Sequence, residues 1–232
     1  VGAGLLPFSL RINRPFASCS VQGKLDFTGA DTLISAALTV EADRLAELSP
    51  QGAVQVPGSL QLGGKLDGTF DRLPLNDIDG IWQAGDAGSG RLSGNIDNLI
   101  EMTGIALQLD AEAAKPVWLD PALPDAMATM ERVALSLMAG GSGERVKLSG
   151  VELTAKTQDG LEIELSGRAE LAAQADRGYE LENIDADLAF RAPTTRAARA
   201  LLFDDIPEFG VLQASTKVQS TVGHPTLSDV KA

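Results

Sequence analysis

One carboxylate pair is spaced in a way that could support catalysis. Asp185 and Asp187 alternate with Ile184, Ala186 and Leu188, and paired carboxylates can hydrolyse glycosidic bonds. The same alternation predicts the solvated face of a strand. Because acidic side chains are abundant along the whole chain, the pair carries no specificity. We therefore predict no catalytic residue.

The segment 76–80 reads Asn-Asp-Ile-Asp-Gly and resembles the middle of a calcium-binding loop. With Gly80 at the sixth loop position, the first ligand position falls on Leu75, which has no side-chain oxygen, so the pattern fails. Asp77 recurs as Asp229 in a similar segment, which indicates a role in a turn. We predict no metal site and no cofactor.

The chain has one cysteine and one histidine, too few for a zinc site or a disulfide framework. Cys19 alternates with Val21 and is predicted to be a buried small hydrophobe. His224 stands in a Gly-His-Pro turn. The net charge of −13 would repel phosphate backbones, which argues against nucleic-acid binding.

Alternation of apolar and polar residues with period two dominates the sequence and predicts half-buried strands. Turn signals between the runs predict a long antiparallel meander with one apolar and one polar face. Only 4% of the residues are aromatic, so small aliphatic side chains must build the apolar face. The residues predicted to represent this face are Leu25, Phe27, Leu38, Leu60, Leu62, Leu66, Leu107, Leu135, Leu153, Leu161, Ile163, Leu212 and Val218.

One hairpin can be predicted in detail. The apolar residues around Leu153 and Ile163 share a face only if odd-numbered positions pair with each other, since a slip by one residue would expose them all. Thr157 then pairs with Leu161 and leaves a three-residue loop at 158–160. We expect a positive φ at Gly160.

Three segments are predicted to be helical: Asp43 to Leu48, Pro121 to Val133 and Thr194 to Phe203. The first opens with a residue that often caps helices, the second has Met127 and Met130 at helical spacing, and the third follows Pro193. We expect them to pack at the edges or ends of the sheet.

Two stretches, Gly58 to Gly80 and Gly210 to Ala232, align without a gap and share seven identical residues, Lys65/Lys217 and Asp77/Asp229 among them. Each follows a strand and a predicted helix. We predict repeat-like units at about 8–93 and 133–232, of the kind that stack on their neighbours.

Several phrases of the sequence resemble the AsmA family. Segment 206–215 reads Ile-Pro-Glu-Phe-Gly-Val-Leu-Gln-Ala-Ser, and 227–232 reads Leu-Ser-Asp-Val-Lys-Ala. The opening (Pro-Phe-Ser-Leu-Arg-Ile at 7–12, and 17–26) and Asp-Arg-Leu-Ala-Glu-Leu at 43–48 are similar to that family as well. Phe209 and Val211 depart from the commoner Leu and Pro, and Ala111 to Arg132 has no counterpart there.

The resemblance implies a mainly β fold: a long antiparallel, strongly curled, taco-like sheet with an apolar concave face and a few short helices. Residues 1–232 would form a single elongated region, a fragment of a longer protein. Glycines inside strands, such as Gly23 and Gly64, suit such a sheet because they allow bending.

The resemblance also implies a function. The chain would be a non-enzymatic protein of the Gram-negative periplasm, anchored to the inner membrane by a segment outside this chain. Its groove would carry phospholipid or other lipid acyl chains in outer-membrane biogenesis, so that the apolar residues named above would contact lipid. Envelope membrane proteins are further partners that it allows.

A structural role stays open beside lipid transport. In that alternative the chain is a scaffold subunit of an envelope complex and buries its apolar face against partner chains. A groove wide enough for an acyl chain favours transport, whereas a face filled by another sheet or subunit favours the scaffold.

Overall fold

A computed structural model describes residues 4–48, 56–116, 130–174, 178–194, 197, 210–220 and 226–231. In it, thirteen antiparallel strands form one sheet, and each strand pairs with the next along the chain. The strands are β1 (Leu5–Arg14), β2 (Ala17–Asp26), β3 (Leu33–Ala42), β4 (Ser59–Gly68), β5 (Leu75–Gln83), β6 (Gly88–Asn98), β7 (Thr103–Ala114), β8 (Met130–Ser142), β9 (Arg145–Thr157), β10 (Glu162–Gln174), β11 (Gly178–Ala192), β12 (Leu212–Ser220) and β13 (Thr226–Lys231). The predicted mainly β meander is confirmed.

The chain divides into two compact units, each with its own hydrophobic cluster. Unit 1 comprises Val1–Ala84, Gly90–Leu109 and Ala139–Val146, and unit 2 comprises Gly85–Ser89, Asp110–Met138 and Lys147–Ala232. Burial of one large aliphatic side chain contributes about 1.5–3 kcal/mol. The buried members are Ile34, Ala36, Leu66, Leu75, Ile78, Ile96 and Ile105 in unit 1, and Met130, Ala155, Leu161, Ile163, Ala192 and Ala197 in unit 2.

The hairpin between β9 and β10 has the predicted loop. The Thr157 amide donates to the Leu161 carbonyl at 2.9 Å, and the Gly160 amide donates to the Thr157 carbonyl at 3.0 Å. Gly160 has φ +84°. The Thr157 hydroxyl also accepts from the Leu161 amide at 3.1 Å, so the amides of Thr157, Gly160 and Leu161 all have partners within the hairpin.

The helix predictions have mixed outcomes. Leu45–Leu48 is a 3-10 helix, shorter than the predicted segment. Met130 to Val133 belongs to β8, so the prediction of a helix there is wrong, while 121–129 lies outside the described residues. Ala197 is helical, and most of Thr194 to Phe203 lies outside the described residues.

Two four-stranded segments have the same pairing register. The first block is β2–β5, in unit 1, and the second block is β10–β13, in unit 2. One row of directly paired residues crosses each block: Gly23, Ala36, Leu66 and Leu75 in the first, and Gly167, Ala186, Val218 and Leu227 in the second. The similarity between the blocks therefore includes β2 and β10, one strand more than the aligned stretches and the strands that precede them. The division into repeat-like units stays a prediction.

Among the described residues, no helix has the length and apolar content needed to cross a bilayer.

Candidate functional site

The first block presents a continuous apolar face. Directly opposite residues of antiparallel strands project from the same face, so the pairing register defines rows of side chains. Three rows cross the block on this face: Cys19–Val40–Leu62–Gly80, Val21–Leu38–Gly64 and Gly23–Ala36–Leu66–Leu75. The predicted residues Leu38, Leu62 and Leu66 thus lie side by side.

The second block repeats this arrangement in unit 2. Its rows on the apolar face are Ile163–Phe190–Ala214, Leu165–Leu188–Thr216 and Gly167–Ala186–Val218–Leu227. Ala192 pairs with Leu212 there, as Ala42 pairs with Leu60 in the first block. Both alanines are buried, with 0% and 3% exposure.

The thirteen predicted face residues differ in accessibility. Leu66, Leu161 and Ile163 are buried, and Leu161 has no exposed surface, so these three are core residues. Phe27 follows the end of β2 and is exposed, because the strand stops at Asp26. The remaining nine are half-buried: Leu25, Leu38, Leu60, Leu62, Leu107, Leu135, Leu153, Leu212 and Val218.

Each block contains a glycine that its neighbouring strand approaches closely. A Cβ at Gly23 would overlap the Ala36 side chain and the Ser35 carbonyl, and a Cβ at Gly167 would overlap Ala186 and the Asp185 carbonyl. Glycine is therefore required at these two positions by space. The residues paired with these glycines, Ala36 and Ala186, have small side chains. The same place in each row therefore lacks a bulky side chain in both blocks.

A bulge with an aspartate in the left-handed region occurs in the last strand of each block. Asp77 has φ +53° and Asp229 has φ +55°, next to register shifts between Gly63 and Lys65 and between Ser215 and Lys217. Asp and Asn tolerate this conformation better than other residues with a side chain. The expectation that Asp77 serves a turn is thus corrected, since it forms a bulge inside a strand.

The equivalent lysines of the two blocks have different partners. The Lys65 ammonium lies 2.7 Å from the Asp77 carboxylate, which raises the pKa of Lys65. The Lys217 ammonium instead lies 3.1 Å from Asp185. The corresponding strand position in the first block is Ser35, which offers no charge.

Asp185 is the centre of the polar network on the second block. Lys217 and Gln219 donate to its carboxylate, the latter at 3.3 Å, and Arg168 donates at 2.8 Å. These hydrogen bonds, that of Lys217 first, lower the pKa of Asp185. Asp187 is exposed in the same strand. The arrangement stabilises the ionised carboxylate, whereas a general acid needs a raised pKa.

The other residues considered for chemistry have ordinary surroundings. Cys19 is half-buried in β2, and the Trp82 indole donates to the Pro57 carbonyl at 2.8 Å. Within the described ranges, no group of three His, Cys, Asp or Glu side chains is placed to hold a metal ion. His224 and Trp118 lie outside the described residues.

The sequence reasoning placed Leu75 and the strand of Ile163 within the repeat-like units, but it missed that β10 is equivalent to β2 and that Gly167 is equivalent to Gly23. A signal was present: Val-Gln-Gly-Lys at 21–24 and Leu-Ser-Gly-Arg at 165–168 share an aliphatic residue, a glycine and a base at the same spacing. The two motifs occupy equivalent positions, because Gly23 pairs with Ala36 and Gly167 pairs with Ala186.

Comparison of the chain with protein-family models, curated proteins and solved structures gives no match. The resemblance to the AsmA family therefore rests on the short sequence phrases alone.

Proposed function

We propose that this chain is a non-enzymatic envelope protein whose apolar sheet face carries lipid acyl chains. The observation that carries the proposal is the pair of apolar faces in the two blocks, where rows of half-buried aliphatic side chains cross consecutive strands. Half-buried residues such as Leu38 and Leu62 have apolar surface left for a ligand, which fully buried residues lack.

The physical chemistry of acyl chains supports such a surface. Each methylene transferred out of water contributes about 0.8 kcal/mol, so a lipid crossing an aqueous space needs an uninterrupted apolar path. A ten-residue strand such as β3 is about 33 Å long at ~3.3 Å per residue. A sheet of such strands, measured along the strand direction, is therefore at least as long as an acyl chain.

The proposal includes a strongly curled, taco-like sheet whose concave side is the apolar face. Close contact at Gly23 and Gly167 supports bending at these positions, because glycine permits close approach of neighbouring backbones. It also includes a periplasmic location, an inner-membrane anchor outside this chain, and a part in outer-membrane biogenesis. These features come from the resemblance to the AsmA family.

A scaffold role is the second candidate, and the first strand favours it. On the face that β1 shares with Val21 and Leu25, its side chains Leu6, Leu10 and Ile12 are 54%, 55% and 51% exposed. Exposed aliphatic side chains in a row are typical of surfaces that another chain covers.

Native mass spectrometry of the purified chain tests the proposal. We expect phospholipid to remain bound to the wild type and to be lost in Leu62→Glu, because a carboxylate on the apolar face must be desolvated beside the acyl chain. Gln61→Glu is the matched control, since Gln61 is the neighbouring residue, is exposed on the opposite face, and should keep the lipid.

A lipid-free wild-type mass with full circular-dichroism signal would contradict transport. Loss of lipid in both variants would contradict binding at this face. Circular dichroism of Leu62→Glu separates loss of the site from loss of the fold.

A further inference from the structure

A hollow occurs at the same place on the polar face of each block. In the second block it has a volume of about 680 Å³ and extends over β9–β13, with Arg168, Asp185 and Gln219 in its lining. These three residues are directly paired across β10, β11 and β12. They alternate with the apolar row through Ala186, so they project from the opposite face. Arg168 directly follows the close-approach glycine of this block.

The equivalent hollow of the first block is smaller and differs in charge. Its volume is about 360 Å³, and Lys24, Ser35 and Asp67 in its lining are directly paired in the same way. Lys24 again follows the close-approach glycine. Asp26 also lines this hollow, so one base stands against two acids. The first hollow therefore has a net negative charge and provides a reference for the second.

The second hollow has an excess of cationic groups. Lys147 and Arg168 line it, and the Lys217 ammonium lies 3.1 Å from the Asp185 carboxylate beside them. Against these three cations stand two carboxylates of the lining, Asp185 and Glu170. In a chain with a net charge of −13, a local excess of positive charge favours an anionic ligand.

Both carboxylates of the second hollow already have donors from the protein. Asp185 accepts from three side chains, and Glu170 accepts from the Asn183 amide group at 2.8 Å. Asn183 has φ +48° and lies at a register shift between β10 and β11, where a bulge redirects side chains. The equivalent strands of the first block, β2 and β3, pair there without a shift. The bulge thus gives the second hollow a shape of its own.

Two basic side chains of this hollow have donors left for a ligand. Lys147 is exposed, and its ammonium has no partner among the described residues. Arg168 donates to Asp185 through one nitrogen at 2.8 Å, and its side chain is 73% exposed. A guanidinium has further N–H donors in a planar fork that matches phosphate oxygens, and an ammonium has three rotatable donors.

We propose that the hollow over β9–β13 binds the phosphate group of a small organic phosphate, held by Lys147 and Arg168. Phosphate oxygens accept several charge-assisted hydrogen bonds at once. The volume of about 680 Å³ lies in the range of roughly 300–1,000 Å³ for small-molecule sites, so it has room for the organic part of the ligand. The chemistry is the same for a soluble phosphate and for a phospholipid headgroup. The hollow lies on the face opposite the apolar rows, so the inference is independent of acyl-chain binding.

Titration of the full chain with glycerol 3-phosphate, followed by two-dimensional amide NMR, tests the proposal. We expect the amide signals of Lys147 and Arg168 and of their neighbours in the hollow to shift. Lys147→Gln should weaken binding roughly two- to fivefold in Kd, the range that an exposed ion pair gives. Lys24→Gln is the matched control, because Lys24 is the exposed base of the first hollow, and it should leave the Kd unchanged. Circular dichroism verifies that both variants are folded.

Vesicles of phosphatidic acid distinguish the two sources of phosphate. Binding of glycerol 3-phosphate alone assigns the hollow to soluble phosphates. Co-sedimentation with the vesicles that Lys147→Gln weakens extends it to headgroups, and both results support the proposal. No binding of glycerol 3-phosphate at millimolar concentration, equal binding of acetate, or equal losses in Lys147→Gln and Lys24→Gln would overturn it.

Discussion

The first block, β2–β5, and the second block, β10–β13, have the same register and the same bulge, but their last strands differ in burial. Leu75 is 5% exposed and its equivalent Leu227 is 64% exposed. The pairing within each block depends on local pattern, since glycine, alanine and aspartate recur at equivalent positions. Burial depends on what lies beside the block. Equivalent sequence therefore produces equivalent backbone pairing without producing equivalent burial.

The largest expected effect comes from truncating the equivalent leucines. Leu75→Ala should lower the free energy of unfolding by about 2–5 kcal/mol, because it removes methyl groups from a packed cluster and leaves a cavity. Leu227→Ala should change it by less than about 0.5 kcal/mol, as at other exposed sites. Urea unfolding of both variants measures the difference, and equal losses would contradict the comparison.

Substitution of the two close-approach glycines should have a smaller effect, equal in both blocks. Gly23→Ala and Gly167→Ala each add a methyl group where the neighbouring strand leaves no room, which costs about 1–3 kcal/mol. Gly63→Ala is the matched control, because the nearest atoms to a Cβ there are 4.0 Å away. In thermal unfolding, Gly63→Ala should have a higher Tm than either Gly23→Ala or Gly167→Ala. A tolerated alanine at either close-approach position would show that the two rows are not equivalent.

The bulge aspartates come next. Valine at position 77 or 229 should destabilise the fold by about 1–2 kcal/mol, since a β-branched side chain is strained at positive φ. Asn tolerates this conformation, so Asp77→Asn and Asp229→Asn serve as controls with smaller losses. Chemical denaturation measures the free energy of unfolding of each variant. Equal losses for valine and asparagine would contradict the claim that the left-handed conformation accounts for aspartate at these positions.

The smallest effect concerns acid stability and belongs to the second block alone. The partners of Asp185 lower its folded pKa, so its stabilising contribution is present above the pKa of the unfolded carboxyl. It is lost as pH falls through the lower folded pKa. Asp185→Asn should therefore be less stable than wild type at neutral pH and approach it in acid. Asp187→Asn removes an exposed carboxylate of the same strand and serves as the matched control; the same convergence in both variants would contradict the role assigned to the network.

Local patterns predicted much of the fold. The 158–160 loop followed from alternation on both sides of Gly160, because turn and strand chemistry there agree. The helix expected over Pro121 to Val133 was wrong at Met130 to Val133, where helical spacing of methionines overlapped the alternating run of β8. Cross-strand pairing decided between the two patterns.

The sequence predicted alternation along each strand but not how accessible each apolar side chain is. Leu62 and Ile163 have the same type of alternation in sequence, yet one is half-buried and the other is buried. That difference arises from neighbouring strands that sequence spacing does not reveal. The bulge at Asp77 was missed for the same reason, since it depends on the register between β4 and β5.

Photocrosslinking at adjacent positions of β3 tests the lipid-carrying face most directly. A photoreactive residue at Leu38, half-buried in an apolar row, should crosslink phospholipid when the protein is expressed in a Gram-negative host. The same residue at Ala37, exposed on the opposite face, should not. Mass spectrometry of the adducts gives the result. Lipid adducts at position 38 alone are predicted, and equal yields at both positions or adducts at neither would contradict the account.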